Sequence, residues 1–135
     1  MWYFGEDTKE YDTSGNVIST AGSFQAGANG AKAGIAMKAQ PRAGDAYRQE
    51  FAPGIAEDMA TVQSLSRNVT VRYGSFNDNN VLETKDSSCL GSGLGVERKY
   101  YAPGVGFVLG VTSREQEQIE LVSKVGPIGP RAPAR

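Results

Sequence analysis

Apolar and polar residues alternate along this chain in short segments, with turn-forming residues about every eight to twelve positions. The alternation is clearest in Asn68–Phe76, where valine and tyrosine occupy odd positions and threonine and arginine occupy even ones. In a strand these two sets of side chains point to opposite faces. This spacing is typical of β-sandwiches, barrels and curved sheets. The sequence therefore predicts an all-β fold, either a single antiparallel curved sheet or a partly open barrel of about eight or nine strands, with Pro-Gly and Asn/Gly turns.

The clearest hairpin signal lies near the N-terminus. Thr13–Asn16 reads Thr-Ser-Gly-Asn between the candidate strands Trp2–Asp12 and Val17–Gln25. Gly and Asn tolerate the positive φ angles that tight hairpin turns require. We therefore expect these two strands to pair.

The middle of the chain is harder to interpret. Apolar residues at every third position of Glu57–Ser66 also fit a helix, but its β-branched residues and flanking turns favour a strand. The polar run Asn77–Asn80 predicts a turn that ends Asn68–Phe76 and precedes a strand over Val81–Asp86.

Two five-residue segments resemble each other across fifty positions. Phe51–Ile55 and Tyr101–Val105 both read aromatic-Ala-Pro-Gly-aliphatic. Pro followed by Gly fits the two central positions of a type II turn. The pattern predicts two equivalent strand-turn-strand corners, the second joining Val96–Ala102 to Gly106–Thr112.

Length and composition fit one domain with its own core. The chain has 135 residues, of which 39% are hydrophobic. We expect a single β domain over residues 1–125 and a disordered Pro/Gly/Arg tail over 126–135. Because Met1 leads directly into the strand-like Trp2–Gly5, we also expect the segment to begin inside a longer parent protein.

Charge and residue counts exclude several functional classes. The net charge of -1 gives no basic footprint for nucleic acid, and no apolar run approaches the length of a membrane span. The absence of histidine excludes His-based triads and His-based metal sites. The single cysteine, Cys89, leaves no intrachain disulfide and is interpreted as a passive small residue.

Two further motifs resemble ligand-binding loops, but the segments around them do not fit such a site. The glycines of Gly91–Gly95 do not follow a buried parallel strand or open a helix, so they do not predict a nucleotide loop. Asp78 within Asn77–Asn80 offers oxygen ligands, but the pattern is ordinary turn chemistry rather than a calcium loop. We predict no cofactor and no metal.

Carboxylates are the remaining candidates for catalysis. Glu50 and Asp58 flank the first Pro-Gly corner, and two carboxylates in different environments can supply an acid and a base. Solvated ion pairs are the alternative, with basic partners available at Arg48, Arg98 and Lys99.

Aromatic residues give the main hint of ligand binding. If some of them face a concave sheet, they could line a pocket for a small apolar ligand or stack on sugar rings. The alternative is that they form the core. The candidate ligand-binding residues are Tyr47, Tyr73, Tyr100 and Tyr101.

Five segments, taken in their order along the chain, carry a family resemblance. They are Trp2–Tyr11 (WYFGEDTKEY), Gly44–Glu50 (GDAYRQE), Val69–Phe76 (VTVRYGSF), Lys99–Gly106 (KYYAPGVG) and Glu120–Val122 (ELV). The set resembles uncharacterised secreted or lipoprotein-like β-proteins of bacteria and archaea. The resemblance implies an extracytoplasmic curved-sheet domain like the lipoprotein-carrier folds, and it implies no activity.

Two functional hypotheses follow. The first is a non-catalytic extracytoplasmic binding or structural module that holds a small apolar or saccharide ligand or a protein partner. If the first strand lacks a neighbour, its open edge predicts a homodimer. The second is a small hydrolase that uses Glu50 and Asp58.

Overall fold

The computed structural model describes residues 1–88, 90, 95–113 and 118–125. Within these residues the regular structure consists of β-strands, and every strand pairing is antiparallel. The all-β prediction is confirmed. Cys89, most of the Gly91–Gly95 loop and the 126–135 tail lie outside the described residues.

A six-stranded sheet forms the larger part of the fold. Its strands follow each other in chain order, so each pairs with its sequence neighbour. Antiparallel strands that follow each other in the chain need no crossover connection, as in a meander. The strands are β7 (Ala46–Arg48), β8 (Asp58–Val71), β9 (Gly74–Ser88), β10 (Glu97–Ala102), β11 (Gly106–Thr112) and β12 (Gln118–Glu120).

The N-terminal third forms three two-stranded sheets instead of joining one continuous sheet. The predicted strand Trp2–Asp12 is divided into three two-residue strands, and the second of them contains a closely packed glycine, Gly5. A Cβ at Gly5 would lie 2.1 Å from the Phe24 carbonyl oxygen, so only glycine allows this close pairing. The pairs are β1 (Trp2–Tyr3) with β6 (Gly34–Ile35), β2 (Gly5–Glu6) with β5 (Phe24–Gln25), and β3 (Glu10–Tyr11) with β4 (Val17–Ser19).

The hairpin predicted at Thr13–Asn16 is confirmed. Tyr11 pairs with Val17, and the loop closes through the Asp12 amide, which donates to the Asn16 carbonyl at 2.9 Å. The Asp12 carboxylate also accepts the amides of Ser14 and Asn16. This side-chain closure is the reason an Asp before such a loop stabilises the turn.

The turn predicted at Asn77–Asn80 is wrong. β8 and β9 instead form one long hairpin whose tip is Arg72–Tyr73, and residues 77–80 form a bulge opposite Asn68. Asn79 adopts φ 51° and exchanges two 2.9 Å hydrogen bonds with the Asn68 side chain. The same tolerance of positive φ that suggests a turn also suits a bulge.

The two Pro-Gly corners are equivalent, as predicted. Gly54 and Gly104 both have φ 70°, the value that the third position of a type II turn requires. In each corner an alanine carbonyl accepts the amide three residues later, at 2.9 Å for Ala52 and 3.1 Å for Ala102. The strand predicted over Glu57–Ser66 is also confirmed, since it lies largely within β8.

Apolar residues are buried on both faces of the large sheet. Adjacent residues Val81 and Leu82 belong to different core clusters, as opposite-facing neighbours in a strand must. One cluster contains Val69, Val71, Val81, Ala102 and Val108, and the other contains Tyr47, Ala60, Val62 and Leu82.

The sheet edges bear on the predicted homodimer. The outer strands β7 and β12 have three residues each, and β1 already pairs with β6. The first strand therefore has one neighbour, in a sheet of two strands. The homodimer stays a prediction.

Candidate functional site

One small cavity combines aromatic rings with hydrogen-bonding side chains. It has a volume of about 260 Å³ and lies between Tyr3 of β1 and side chains of the large sheet. We call it the Glu50 pocket. Its lining residues are Tyr3, Ala36, Gln49, Glu50, Lys99, Tyr101 and Phe107.

A local break in strand pairing directs Glu50 into this pocket. The amides of Gln49 and Glu50 both donate to the Asp58 carbonyl, at 2.8 and 3.2 Å. Two residues therefore oppose one, as in a β-bulge, and a bulge redirects side chains that alternation would send to opposite faces. Strict alternation predicts that Gln49 and Glu50 face away from each other, yet both line the pocket.

Tyr3 reaches the pocket because β6 lies close to the chain that follows β7. Tyr3 pairs with Gly34, and a Cβ on Gly34 would lie 1.9 Å from the Gln49 carbonyl oxygen. Glycine at this position therefore permits the approach. The Tyr3 ring packs edge-on against Phe24 at 5.9 Å, and its hydroxyl donates to the Glu6 carboxylate at 2.9 Å.

The opposite wall of the pocket is an aromatic pair. The rings of Tyr101 and Phe107 meet edge-to-face, with centroids 5.7 Å apart. A register shift after Tyr100 pairs Tyr101 with Phe107 across β10 and β11. Burial raises the pKa of the Tyr101 hydroxyl to about 12, so it stays a neutral donor.

Lys99 is a fixed cation within the pocket. Its ammonium lies 2.9 Å from the Asp86 carboxylate, 3.3 Å from that of Glu97 and 3.5 Å from the Gln49 side-chain oxygen. Burial alone would lower the pKa of Lys99, but the neighbouring acidic groups, chiefly the Asp86 and Glu97 carboxylates, together outweigh burial and raise it. Asp86 is 3% exposed and depends on this ion pair for charge compensation.

Glu50 is the titratable group of the pocket. Burial raises its pKa from 4.5 to about 7, and the negative charges of Asp58 and Glu6 add to the rise. The Lys99 ammonium opposes this rise without cancelling it. Near neutral pH Glu50 can therefore both donate and accept a proton.

Of the two predicted carboxylates, only Glu50 lines the pocket. Asp58 opens β8 beside it, and its backbone carbonyl holds the bulge. The predicted basic partners pair elsewhere: Arg48 with Glu57, Arg98 with Glu83, and Lys99 with Asp86 and Glu97. Within the described part of the chain, Glu50 forms no ion pair.

The four predicted tyrosines occupy four different environments. Tyr101 lines the Glu50 pocket, and Tyr47 is a core residue at 6% exposure, with its hydroxyl buried near Asp86. Tyr100 lies on the opposite face of the sheet beside Glu83, and Tyr73 stacks on Phe76 at the hairpin tip. Of these four tyrosines, only Tyr101 and Tyr47 lie together, because Tyr101 packs against the core cluster that contains Tyr47.

Sequence reasoning did not find Tyr3, Gln49 or Phe107 as pocket residues. Tyr3 belongs to a segment predicted as an ordinary strand, and nothing local indicates that its side chain lines a pocket with residues of the large sheet. Phe107 follows the second Pro-Gly corner, which is a signal that the sequence does contain. Pairing across that corner would have placed Phe107 beside Tyr101.

A larger, mostly apolar cavity of about 700 Å³ lies next to this site and shares Tyr101. Its lining includes Met37, Leu65, Leu82 and Val105. Among the described residues, no group of three or more carboxylate or thiolate side chains is arranged to hold a metal ion.

Comparison with protein-family models, with curated proteins and with solved structures finds no match. In the described ranges no helix has the length and apolarity needed to cross a membrane. The resemblance to secreted and lipoprotein-like β-proteins stays a prediction, and the functional argument depends on the site itself.

Proposed function

We propose that this protein is a non-catalytic saccharide-binding β module whose ligand occupies the Glu50 pocket. The single observation that carries the proposal is the pairing of rings with polar groups in one cavity. Tyr3, Tyr101 and Phe107 offer ring surface, while Gln49, Glu50 and Lys99 offer hydrogen-bonding groups. A sugar ring has the complementary chemistry, with an apolar C–H face and a rim of hydroxyl groups.

The volume of the Glu50 pocket limits the size of the ligand that it can hold. At about 260 Å³ it lies just below the range of about 300–1,000 Å³ that is common for ligand pockets. We therefore propose that one sugar ring enters, either as a free monosaccharide or as the terminal residue of a chain. Curvature of the large sheet, expected from the sequence, would help β1 and β6 to cover the ligand.

The test is saturation-transfer NMR with a panel of neutral monosaccharides and disaccharides. We expect transfer from the protein to at least one sugar, and loss of transfer in Phe107→Ala. Tyr73→Ala is the matched control, because Tyr73 is similarly exposed (45% against 38% for Phe107) but lies at the hairpin tip. Equal loss in both variants, or no transfer from any sugar, would refute the proposal.

The neighbouring apolar cavity defines a competing outcome. The sequence predicted either an apolar or a saccharide ligand, and a short alkyl compound fits the larger cavity better than the Glu50 pocket. The panel therefore includes an alkyl glycoside and its free alcohol. Equal binding of the alcohol, with no binding of the sugar alone, would favour the apolar ligand.

A second candidate function is carboxylate-dependent hydrolysis of a glycoside. The pKa of about 7 on Glu50 favours it, because a general acid must hold its proton near working pH. Glu50 would protonate the leaving oxygen, and Asp58, which opens the next strand beside it, would be the second carboxylate. Nitrophenyl glycosides provide the assay: turnover that falls as pH rises through about 7, and is lost in Glu50→Gln, would support hydrolysis. Binding of the sugar without turnover of the glycoside would argue against hydrolysis and support the non-catalytic binding module.

We also propose an extracytoplasmic setting, which the family resemblance implies. A saccharide-binding module in that setting would meet free sugars or cell-surface glycans. Localisation of the tagged protein by cell fractionation tests this part independently of binding.

A further inference from the structure

A further cavity, distinct from the Glu50 pocket and from the apolar cavity, lies on the opposite face of the large sheet. It has a volume of about 620 Å³ and is lined mainly by polar residues. Tyr100 lines it, whereas the adjacent Tyr101 lines the Glu50 pocket, as neighbours in one strand must. We call it the arginine cavity. Its lining residues are Arg67, Asn68, Val69, Thr70, Glu83, Arg98, Tyr100 and Leu109.

A buried carboxylate holds two arginines in place at this cavity. Glu83 is 1% exposed, and its two oxygens accept hydrogen bonds from Arg67 Nε at 2.6 Å and from Arg98 Nη1 at 2.5 Å. Burial alone would raise the pKa of Glu83, but the two guanidinium groups outweigh it and lower the pKa. Glu83 is therefore ionised and fixes the position of both cations.

Arg67 and Arg98 each keep N–H donors that the hydrogen bonds to Glu83 do not use. A guanidinium group has five N–H donors, and each arginine uses one of them on this carboxylate. Their side chains are 53% and 49% exposed, so the remaining donors can reach the cavity and solvent. Two cations against one anion leave the lining with one net positive charge.

The other polar residues of the cavity do not neutralise this charge. The Asn68 side chain is engaged with Asn79, and the Thr70 hydroxyl contacts that of Ser75. Tyr100 brings its hydroxyl to 3.5 Å from Glu83 and adds a neutral donor. Guanidinium groups that are already positioned bind planar or tetrahedral oxyanions at low ordering cost.

We propose that the arginine cavity is a binding site for an oxyanion, in which Arg67 and Arg98 together hold a carboxylate, sulfate or phosphate group of the ligand. The site is separate from the Glu50 pocket and does not depend on the saccharide proposal. Glu83 is its positioning residue and also its internal competitor. Glutamine at this position keeps an oxygen that can accept an arginine N–H but removes the competing charge, so Glu83→Gln should strengthen oxyanion binding.

The experiment measures binding of inorganic phosphate, sulfate and acetate by calorimetry and by NMR, at constant ionic strength set with sodium chloride. We expect saturable binding to the wild-type protein and about tenfold tighter binding to Glu83→Gln, because one opposing charge at close range is removed. The preferred anion distinguishes a carboxylate ligand from a sulfate or phosphate ligand.

Glu120→Gln is the matched control. Glu120 pairs with Arg72 at 2.9 Å, so the variant also frees an arginine, but one that does not line the cavity. Tightening in Glu120→Gln equal to that in Glu83→Gln would show a general charge effect and overturn the proposal.

Arg67→Lys covers the case in which Glu83→Gln does not fold. Arg98 still pairs with Glu83 in this variant, and the charge is kept while the planar fork is lost. We expect severalfold weaker oxyanion binding than in the wild-type protein. Unchanged binding, or no saturable binding to the wild-type protein with any of the three anions, would overturn the proposal.

Discussion

Replacing Glu50 with glutamine removes a carboxyl group whose pKa the fold raises from 4.5 to about 7. A raised pKa means that the folded state favours the neutral form. The resulting stabilisation is fully present below pH 4.5 and is lost as pH rises through about 7. Glutamine has nearly the same shape as glutamic acid, but its side chain does not ionise as pH rises.

The magnitude follows from the difference between the two pKa values. At about 1.4 kcal/mol per pH unit, the rise sets a ceiling of about 3 kcal/mol. Glu50 lies in an open pocket and is only partly buried, so solvent screening reduces the expected effect to about 1–2 kcal/mol. Between pH 4 and pH 9, about that much stability should be lost in the wild-type protein and retained in Glu50→Gln.

The assay is urea unfolding followed by far-ultraviolet circular dichroism from pH 4 to pH 9. The quantity of interest is the difference in unfolding free energy between variant and wild type, because other titrations then cancel. Glu57→Gln is the control, since it removes a nearby carboxylate that is held by Arg48 at 3.4 Å. A difference for Glu50→Gln that stays constant from pH 4 to pH 9 would refute the reasoning about the pocket.

Three further substitutions test the scaffold of the site by urea unfolding. Gly34→Ala should cost about 2 kcal/mol or more, because its Cβ would meet a backbone oxygen at 1.9 Å; a neutral effect would mean that β6 does not lie this close. Gly54→Ala and Gly104→Ala should each cost about 1 kcal/mol, since both glycines have φ 70° with open space around them; clearly unequal costs would contradict the equivalence of the corners. Lys99→Met should cost about 3–5 kcal/mol at neutral pH by leaving the Asp86 carboxylate buried without its cation. A loss below about 1 kcal/mol, as for a solvent-exposed pair, would argue against the buried ion pair.

Local sequence chemistry predicted several parts of the fold. The corners at Gly54 and Gly104 require a residue with positive φ after proline, and the pair Pro-Gly meets that need with little help from tertiary structure. The hairpin at Thr13–Asn16 likewise closes through its own residues. Such turns are predictable because their stabilising contacts lie within a few residues.

The hairpin tip shows where local chemistry is insufficient. Asn77–Asn80 has the composition of a turn, but the apolar residues on both sides, including Val69, Phe76 and Val81, lie in one core cluster. Continued pairing of β8 and β9 buries them, and the asparagines are accommodated as a bulge. Burial between distant residues decided between turn and bulge, and the sequence alone does not reveal it.

The candidate site was predictable only in part. Glu50 could be named from its position beside the corner, but its entry into the pocket depends on the bulge opposite Asp58. Tyr3 approaches Glu50 through the contact of β6 with the chain that follows β7, across about 45 residues of sequence. The raised pKa of Glu50 is a consequence of both contacts, since burial is its largest cause.

Amide chemical-shift mapping by two-dimensional NMR tests the central claim most directly, namely that the Glu50 pocket binds a single sugar ring. Titration of the labelled protein with the sugars that bind should move the amide signals of Tyr3, Ala36, Glu50, Tyr101 and Phe107 together, with a single saturating curve. The signals of the Arg72–Tyr73 hairpin tip should stay unchanged. Movements confined to the tip or to the apolar cavity, or none with any sugar, would contradict the account.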